Sequence, residues 1–225
     1  MLQSRTITDF KALDLDLRPV LRHMEALPAN ASLSLQQLTT KLCWLVGVVG
    51  MFSGDDIACI DIAHAHFHVS AQVAILPVVL PKETRRHGRI RKFTTIQTHP
   101  NGALCPVATL QEYLSRLPPE DDLVPHYKDS DVLIRPLVRD TRNLLRAVGP
   151  DTINRHIASI TDLIERPASS ARPRARAIGA SAAFKNGAPK DDIVVQANWS
   201  SSVMFDSFYR LSGTTATNFT TAVLV

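Results

Sequence analysis

Cysteine is scarce in this chain. Its 225 residues hold three, Cys43, Cys59 and Cys105, which are odd in number, far apart and set in apolar surroundings. No C-x-x-C pair occurs, which argues against both a zinc knuckle and a disulfide scaffold. Long hydrophobic runs are lacking too. The longest, LCWLVGVVGMF from Leu42 to Phe52, is too short to cross a bilayer and reads as a buried helix. The opening MLQSRTITDF has no apolar h-region, so it does not read as a signal peptide. These absences point to a reduced, intracellular, soluble protein without a membrane partner. The sequons at Asn30, Asn198 and Asn218 then carry no meaning, because an intracellular chain does not meet the glycosylation machinery. There is no Walker loop, no G-x-G-x-x-G and no nucleophile elbow, so nothing points to a nucleotide cofactor or a serine triad.

What is present is ordinary for a globular protein: 45% hydrophobic and 20% charged residues, enough for one good-sized core. The net charge of +4 and a pI near 9.1 permit a nucleic-acid partner without arguing for one. Residues 1–12 read as a polar, poorly ordered start or linker, and 13–225 as one domain. A helical period covers 13–27, and PANAS breaks it. Ser32 or Ser34 caps the next helix, which is apolar on most sides and belongs in the core. After the turn GMFSGDD, Asp55 reads as the cap of a short helix. Three strands follow, AHFHVSAQ, VAILPVVLPKE and RKFTTIQT, with RRHG as the tight turn between the last two. A helix opens at CPV, with proline near its first position. Residues 118–150 are mixed, and a helix covers 151–165. The loop RPASSARPRARA leads into AIGASAAFKNG, which ends on Gly187, and PKDDIVVQA is another short helix. Finally NWSSSVMFDSFYR spaces Val203, Met204, Phe205, Phe208 and Tyr209 as on a short amphipathic helix. The fold class is mainly α with a small three-stranded antiparallel β-sheet.

Three clusters carry candidate chemistry. HAHFH places His64, His66 and His68 on one face of a strand. No clustered carboxylates complete a metal shell, so a solvated strand face is the better reading and no metal is assigned. The hairpin PKETRRHGRIRK holds Lys82, Arg85, Arg86, Arg89, Arg91 and Lys92. Such an arm can grip phosphates, since Lys and Arg release condensed counterions on binding; equally, edge charges discourage strand pairing. Arg172, Arg174 and Arg176 form a second basic cluster. Arg176 adjoins a buried-looking helix, and there an arginine needs a partner or an anionic ligand.

Taken in order, LTTKLCWLVGVVGMFSGDDIACIDI, VVLPKETRRHGRIRKFTTI, ALCPVATLQEYLSR, RARAIGASAAFKNGAPKDDIV and NWSSSVMFDSFYRLSG resemble the catalytic domain of the tyrosine recombinases, the phage-integrase family. The closest flavour is that of eukaryotic mobile-element members such as Cryptons. The resemblance runs from about residue 13 to 221. It implies an integrase-like catalytic fold, a DNA partner, several copies acting on paired DNA sites, no cofactor and no metal. A eukaryotic member would work in the nucleus. In the family a tyrosine attacks a DNA phosphate, forming a 3′-phosphotyrosyl link and releasing a 5′-hydroxyl. Two arginines face the charge that builds on the phosphate oxygens. A hairpin lysine protonates the leaving oxygen, a histidine assists, and a histidine or tryptophan bonds the phosphate. Carried over, Tyr209 is the nucleophile, Arg176 the second arginine, Trp199 the His/Trp position, and Lys82 the lysine with Lys92 as fallback. Arg85, Arg86, Arg89, Arg91, Lys92, Arg172 and Arg174 are the expected DNA contacts.

The departures shape the functional expectation. Ser53 stands at the first arginine and Pro173 at the histidine three residues before the second. Trp199 lies one residue further from the tyrosine than is usual. Too few residues precede residue 13 to supply the family's N-terminal core-binding domain. Losing one preorganised donor at an oxyanion-type site typically costs roughly 10²–10³ in rate. Three readings follow: a strand-cleaving and rejoining enzyme with weakened chemistry, a catalytically inactive DNA-binding remnant of a mobile-element recombinase, and an interaction module that keeps only the fold.

Overall fold

Proline sets the first helix. In the computed structural model, which describes residues 15–68, 72–81, 91–119, 123–167, 170–200 and 202–204, α1 spans Arg18–Ala26 with Pro19 in its first turn. A helix begun at residue 13 would put that ring in a helix interior, where it clashes with the carbonyl four residues back. The reading of residues 1–12 lies outside the described residues.

Ser34 starts α2 (Leu35–Val49) through a capping box. Its Oγ accepts from Gln37 N at 3.2 Å, and Gln37 Oε1 accepts from Ser34 N at 3.0 Å. Together these satisfy donors that a bare helix end leaves unpaired. As expected for an apolar helix, α2 is buried almost throughout from Leu38 to Val48. The short α3 (Gly54–Ala58) follows, capped by Ser53 and not by Asp55.

Strands β1 (His66–His68), β2 (Val73–Val79) and β3 (Arg91–Gln97) form the expected three-stranded antiparallel sheet, in that order. Alternation along β3 buries Lys92, Thr94 and Ile96 and exposes Arg91, Phe93, Thr95 and Gln97, as a sheet packed on one face requires. His66 and His68 are exposed on β1, but His64 does not share their face. It ends a 3₁₀ turn, where its Nδ1 meets Asp61 Oδ2 at 2.7 Å.

Helix α4 (Pro106–Ser115) opens on a proline, with Cys105 Sγ accepting from Ala108 N. The stretch 118–150, mixed in the sequence, contains two hairpins among its described residues: β4 (Val124–His126) with β5 (Asp129–Ile134), and β6 (Arg139–Asp140) with β7 (Asn143–Ala147). The protein thus carries more antiparallel strand than the expected single sheet. Helices α5 (Pro150–Thr161), α6 (Ala175–Lys185) and α7 (Lys190–Gln196) complete the described fold, with a helical turn at Ser202–Met204. Gly187 stops α6 at φ +89°, a backbone conformation that glycine adopts without strain.

The core gathers on α2, against which α3, α4, α5 and α6 pack. Leu38, Leu42, Trp44, Ile57, Ile60, Leu76, Ile96 and Tyr113 share one buried cluster. The approach of α6 is very close: a Cβ built on Gly179 would lie 1.9 Å from the Val48 carbonyl oxygen. Among the described residues no helix is long and apolar enough to cross a membrane.

Candidate functional site

At the end of α2 the chain turns through Met51, at φ +52°, into Ser53. There the serine is a structural cap. Its Oγ accepts from Asp56 N at 3.2 Å, while Asp56 Oδ2 accepts from Ser53 N at 2.8 Å and from Ser53 Oγ at 2.6 Å. The pattern S-x-x-D is a capping box with the acid in the position that also favours the helix dipole.

Arg176 reaches this same carboxylate. It sits in the first turn of α6, which begins at Ala175 and so takes in Arg176, rather than following it as the sequence suggested. Its Nη2 donates to Asp56 Oδ2 and its Nε donates to the Met51 carbonyl at 2.7 Å. The side chains of the pair are only 12% and 7% exposed. The requirement that Arg176 have a partner is therefore met by a carboxylate 120 residues away. The pair carries no net charge.

Arg172 is held too. Its Nε and Nη2 fork onto the two oxygens of Asp162, at 2.7 and 2.6 Å. Arg166 adds a third contact to Asp162 at 2.9 Å. The Arg172 hydrogen bond, opposed by slight burial and helped by both charges, holds the Asp162 carboxyl below its ordinary range. Arg174, exposed at the start of α6, makes no ion pair among the described residues. Ser53, Pro173, Arg174 and Arg176, together with Asp55 and Asn154, line one open cleft of about 570 Å³. Ser53 is thus brought together with Pro173 and Arg176, more than a hundred residues away in the chain.

Trp199 belongs to the same corner. It packs with Met51, Ala180, Ile193 and Ala197, so the residue whose carbonyl binds Arg176 also touches the tryptophan's cluster. Two side chains at and just past the end of α7 tie this corner to the sheet. Gln196 Nε2 donates to the carbonyls of Val49 and Thr95, at 3.0 and 3.1 Å, and Asn198 Nδ2 donates to Thr94 Oγ1 at 3.0 Å. Lys92 lies two residues before Thr94 on the same buried face of β3, opposite Val78, while Arg91 faces solvent. Lys82, Arg85, Arg86, Arg89 and Tyr209 lie outside the described residues.

Two groups at this site were not singled out from sequence. Asp56 was legible in principle, being the acid three residues after a capping serine. The other group had no local signal. The Tyr127 hydroxyl donates to Asp55, and Lys128 Nζ reaches Asp55 Oδ2 at 2.7 Å and the Leu80 carbonyl at 3.1 Å. His126 stacks on Tyr127, and its Nε2 meets the Val79 carbonyl at 3.2 Å. Burial, then the Asp55 contact, pushes the Tyr127 hydroxyl above its ordinary value, and its bond to Asp55 makes this tyrosine a latch. The latch pins the β4–β5 hairpin to α3 and to the end of β2.

Comparison with known proteins returned no matching family model and no matching curated sequence.

Proposed function

We propose that this chain is a DNA-binding domain of the tyrosine-recombinase kind, with a cleft that grips a phosphodiester but lacks the charge to cleave it. Convergence carries this reading. Ser53, Pro173 and Arg176 stand where the resemblance puts the first arginine, the histidine and the second arginine, and all three line one cleft. At that corner catalysis needs two uncompensated guanidiniums facing the developing charge. A neutral serine and an arginine already bound to Asp56 stand there instead. Arg174 remains as an exposed cation for a backbone phosphate.

A strand-cleaving reading of the same cleft has one observation in its favour: Arg176 and Trp199 meet at Met51. In that reading the Tyr209 oxygen bonds to phosphorus as the bond to the 5′-oxygen breaks, and Lys82 supplies the proton to the leaving oxygen. Several copies then act on paired sites.

One experiment separates the two. The protein is incubated with nicked DNA, and adducts that survive denaturation are counted, with duplex binding measured alongside. The binding reading expects retained DNA and no adduct from the native chain. It also expects an adduct from the Ser53→Arg, Pro173→His double variant that disappears when Tyr209→Phe is added. A Tyr209-dependent adduct from the native chain establishes cleavage. Failure to bind any duplex removes both readings.

A further inference from the structure

Helix α5 looks onto two concavities. Asp151, Asn154, Ala158 and Thr161 face the cleft described above. Thr152, Arg155, His156 and Ser159 face another, at the i, i+3, i+4, i+7 spacing that makes one helical face. Its other walls are the first turns of α2, with Gln36 and Thr40, and the β6–β7 hairpin, with Arg142 and Arg146. The volume is about 600 Å³.

Side-chain bonds hold the walls together. Thr141 Oγ1 donates to Gln36 Oε1 at 2.9 Å, fixing the hairpin to α2. Thr40 Oγ1 and His156 Nδ1 meet at 2.8 Å, fixing α2 to α5. Arg155 Nη2 donates to Thr152 Oγ1 at 2.9 Å, a neutral partner. Arg142 and Arg146 are exposed, and their guanidiniums make no ion pair among the described residues. Among the described residues the one carboxylate lining the groove, Asp140, accepts from the Arg142 backbone N at 2.9 Å and so serves the turn. Several uncompensated guanidiniums around one concavity attract anions, and their fork geometry matches phosphate.

We infer that this groove is a second phosphate-binding surface, taking successive phosphates of a nucleic-acid backbone. Spacing selects a chain of phosphates over a lone ion. Arg142 immediately precedes β7 and Arg146 lies within it, four residues apart, or about 13 Å along the backbone at about 3.3 Å per residue, a span that suits successive phosphates of a strand. The contacts position a strand and carry no base readout. The inference rests on the proposed DNA partner but not on the chemistry of the cleft.

The test is a salt series of duplex binding by the whole chain, native against Arg142→Gln/Arg146→Gln/Arg155→Gln, with tripolyphosphate as competitor. Each neutralised phosphate contributes about 0.9 to the slope of log K against log salt, so the triple variant flattens it by about 2 to 3. The matching lysine triple retains the slope, since charge and not packing is at stake. Circular dichroism verifies folding; if the triple is unfolded, the single variants Arg142→Gln and Arg146→Gln each flatten the slope by about 0.9. An unchanged slope in folded variants overturns the inference. Loss of tripolyphosphate binding with unchanged duplex binding overturns the backbone assignment in favour of a free polyphosphate. Arg174→Gln in the same assay keeps the two sites apart. If it alone flattens the slope, the groove falls and the cleft stands, and the reverse result sinks the cleft.

Discussion

The two concavities flanking α5 are similar in size and differ in charge balance. On the Ser53 side, Arg176 is bound to Asp56 and Arg172 to Asp162, which leaves Arg174 as the cation without an ion pair among the described residues. On the hairpin side, Arg155 rests on a threonine hydroxyl, and the guanidiniums of Arg142 and Arg146 make no ion pair among the described residues. In the sequence the ranking runs the other way, because Arg172, Arg174 and Arg176 are crowded into five positions. Density of basic residues is therefore a poor guide to phosphate affinity. What decides is whether the fold brings a carboxylate within reach, since a paired guanidinium has already given up most of its Coulomb attraction.

Asp56→Ala breaks this comparison most forcefully. Removing one partner of a largely buried pair costs about 3–5 kcal/mol, and the same change deletes the acceptor of the α3 capping box. Urea unfolding should show the loss directly. Asp56→Asn keeps the shape and an acceptor oxygen while leaving Arg176 uncompensated. It should bind duplex more tightly than the native chain, with a steeper salt dependence. Unchanged binding would mean that neutralisation of Arg176 is not what quiets the cleft.

Gly179→Ala comes next. The added methyl cannot coexist with the Val48 carbonyl oxygen, so α6 must move off α2, at about 1–3 kcal/mol for overpacking. Arg176 rides on α6, whereas the groove is built from α2, α5 and a hairpin. Stability should fall while the salt slope assigned to the groove persists. A collapse of both would show that the two sites share a scaffold too closely to be compared separately.

What the sequence discloses and what it hides divide along the same physical line. The buried α2, the alternation of β3 and the stop at Gly187 are local patterns, legible within a few residues. The need of Arg176 for a partner was legible as well, because burying an unpaired charge is costly. The identity of that partner was not, since Asp56 lies far away in the chain. The resemblance sets Ser53 in the place of an arginine and local pattern makes Asp55 the cap, although Ser53 with Asp56 is itself a capping signature. The hairpins within 118–150 were missed because their anchors, Asp55, Leu80 and Tyr113, come from other segments. No period inside that stretch announces them.

Ser53→Ala sharpens the comparison at a smaller scale. Loss of an N-cap hydroxyl costs about 1 kcal/mol. Ser34→Ala, removing the same device from α2 well away from α6, is the natural reference. Both should destabilise by a similar amount in thermal or urea unfolding. Only Ser53→Ala should alter duplex binding, because only its cap shares the carboxylate that holds Arg176. Equal binding by the two variants would separate the cap from the cleft.

Acid gives the gentlest test, and it addresses the two faces of α5 in different pH windows. His156, on the groove side, has its pKa lowered by burial and then by the Arg155 charge. A histidine depressed in the folded state takes up its proton first in the unfolded chain, so stability falls as pH drops through the ordinary value of ~6.5. Asp162, on the cleft side, is depressed by Arg172. Its contribution is present above the ordinary carboxylate value of ~3.9 and disappears only as pH falls through the lower folded value. His126, also lowered by burial, shares the first window, so the readout must be a difference. His156→Gln, which keeps a hydrogen-bonding group beside Thr40, should flatten the fall in unfolding free energy between mildly acid and neutral pH. It should leave the strongly acid limb unchanged. Arg172→Gln should do the reverse, because it removes the larger of the two arginine contacts on Asp162 without touching the groove. If His156→Gln leaves the mildly acid slope intact, the imidazole is not the group that titrates on the groove side, and the bond to Thr40 is only a strut between α2 and α5.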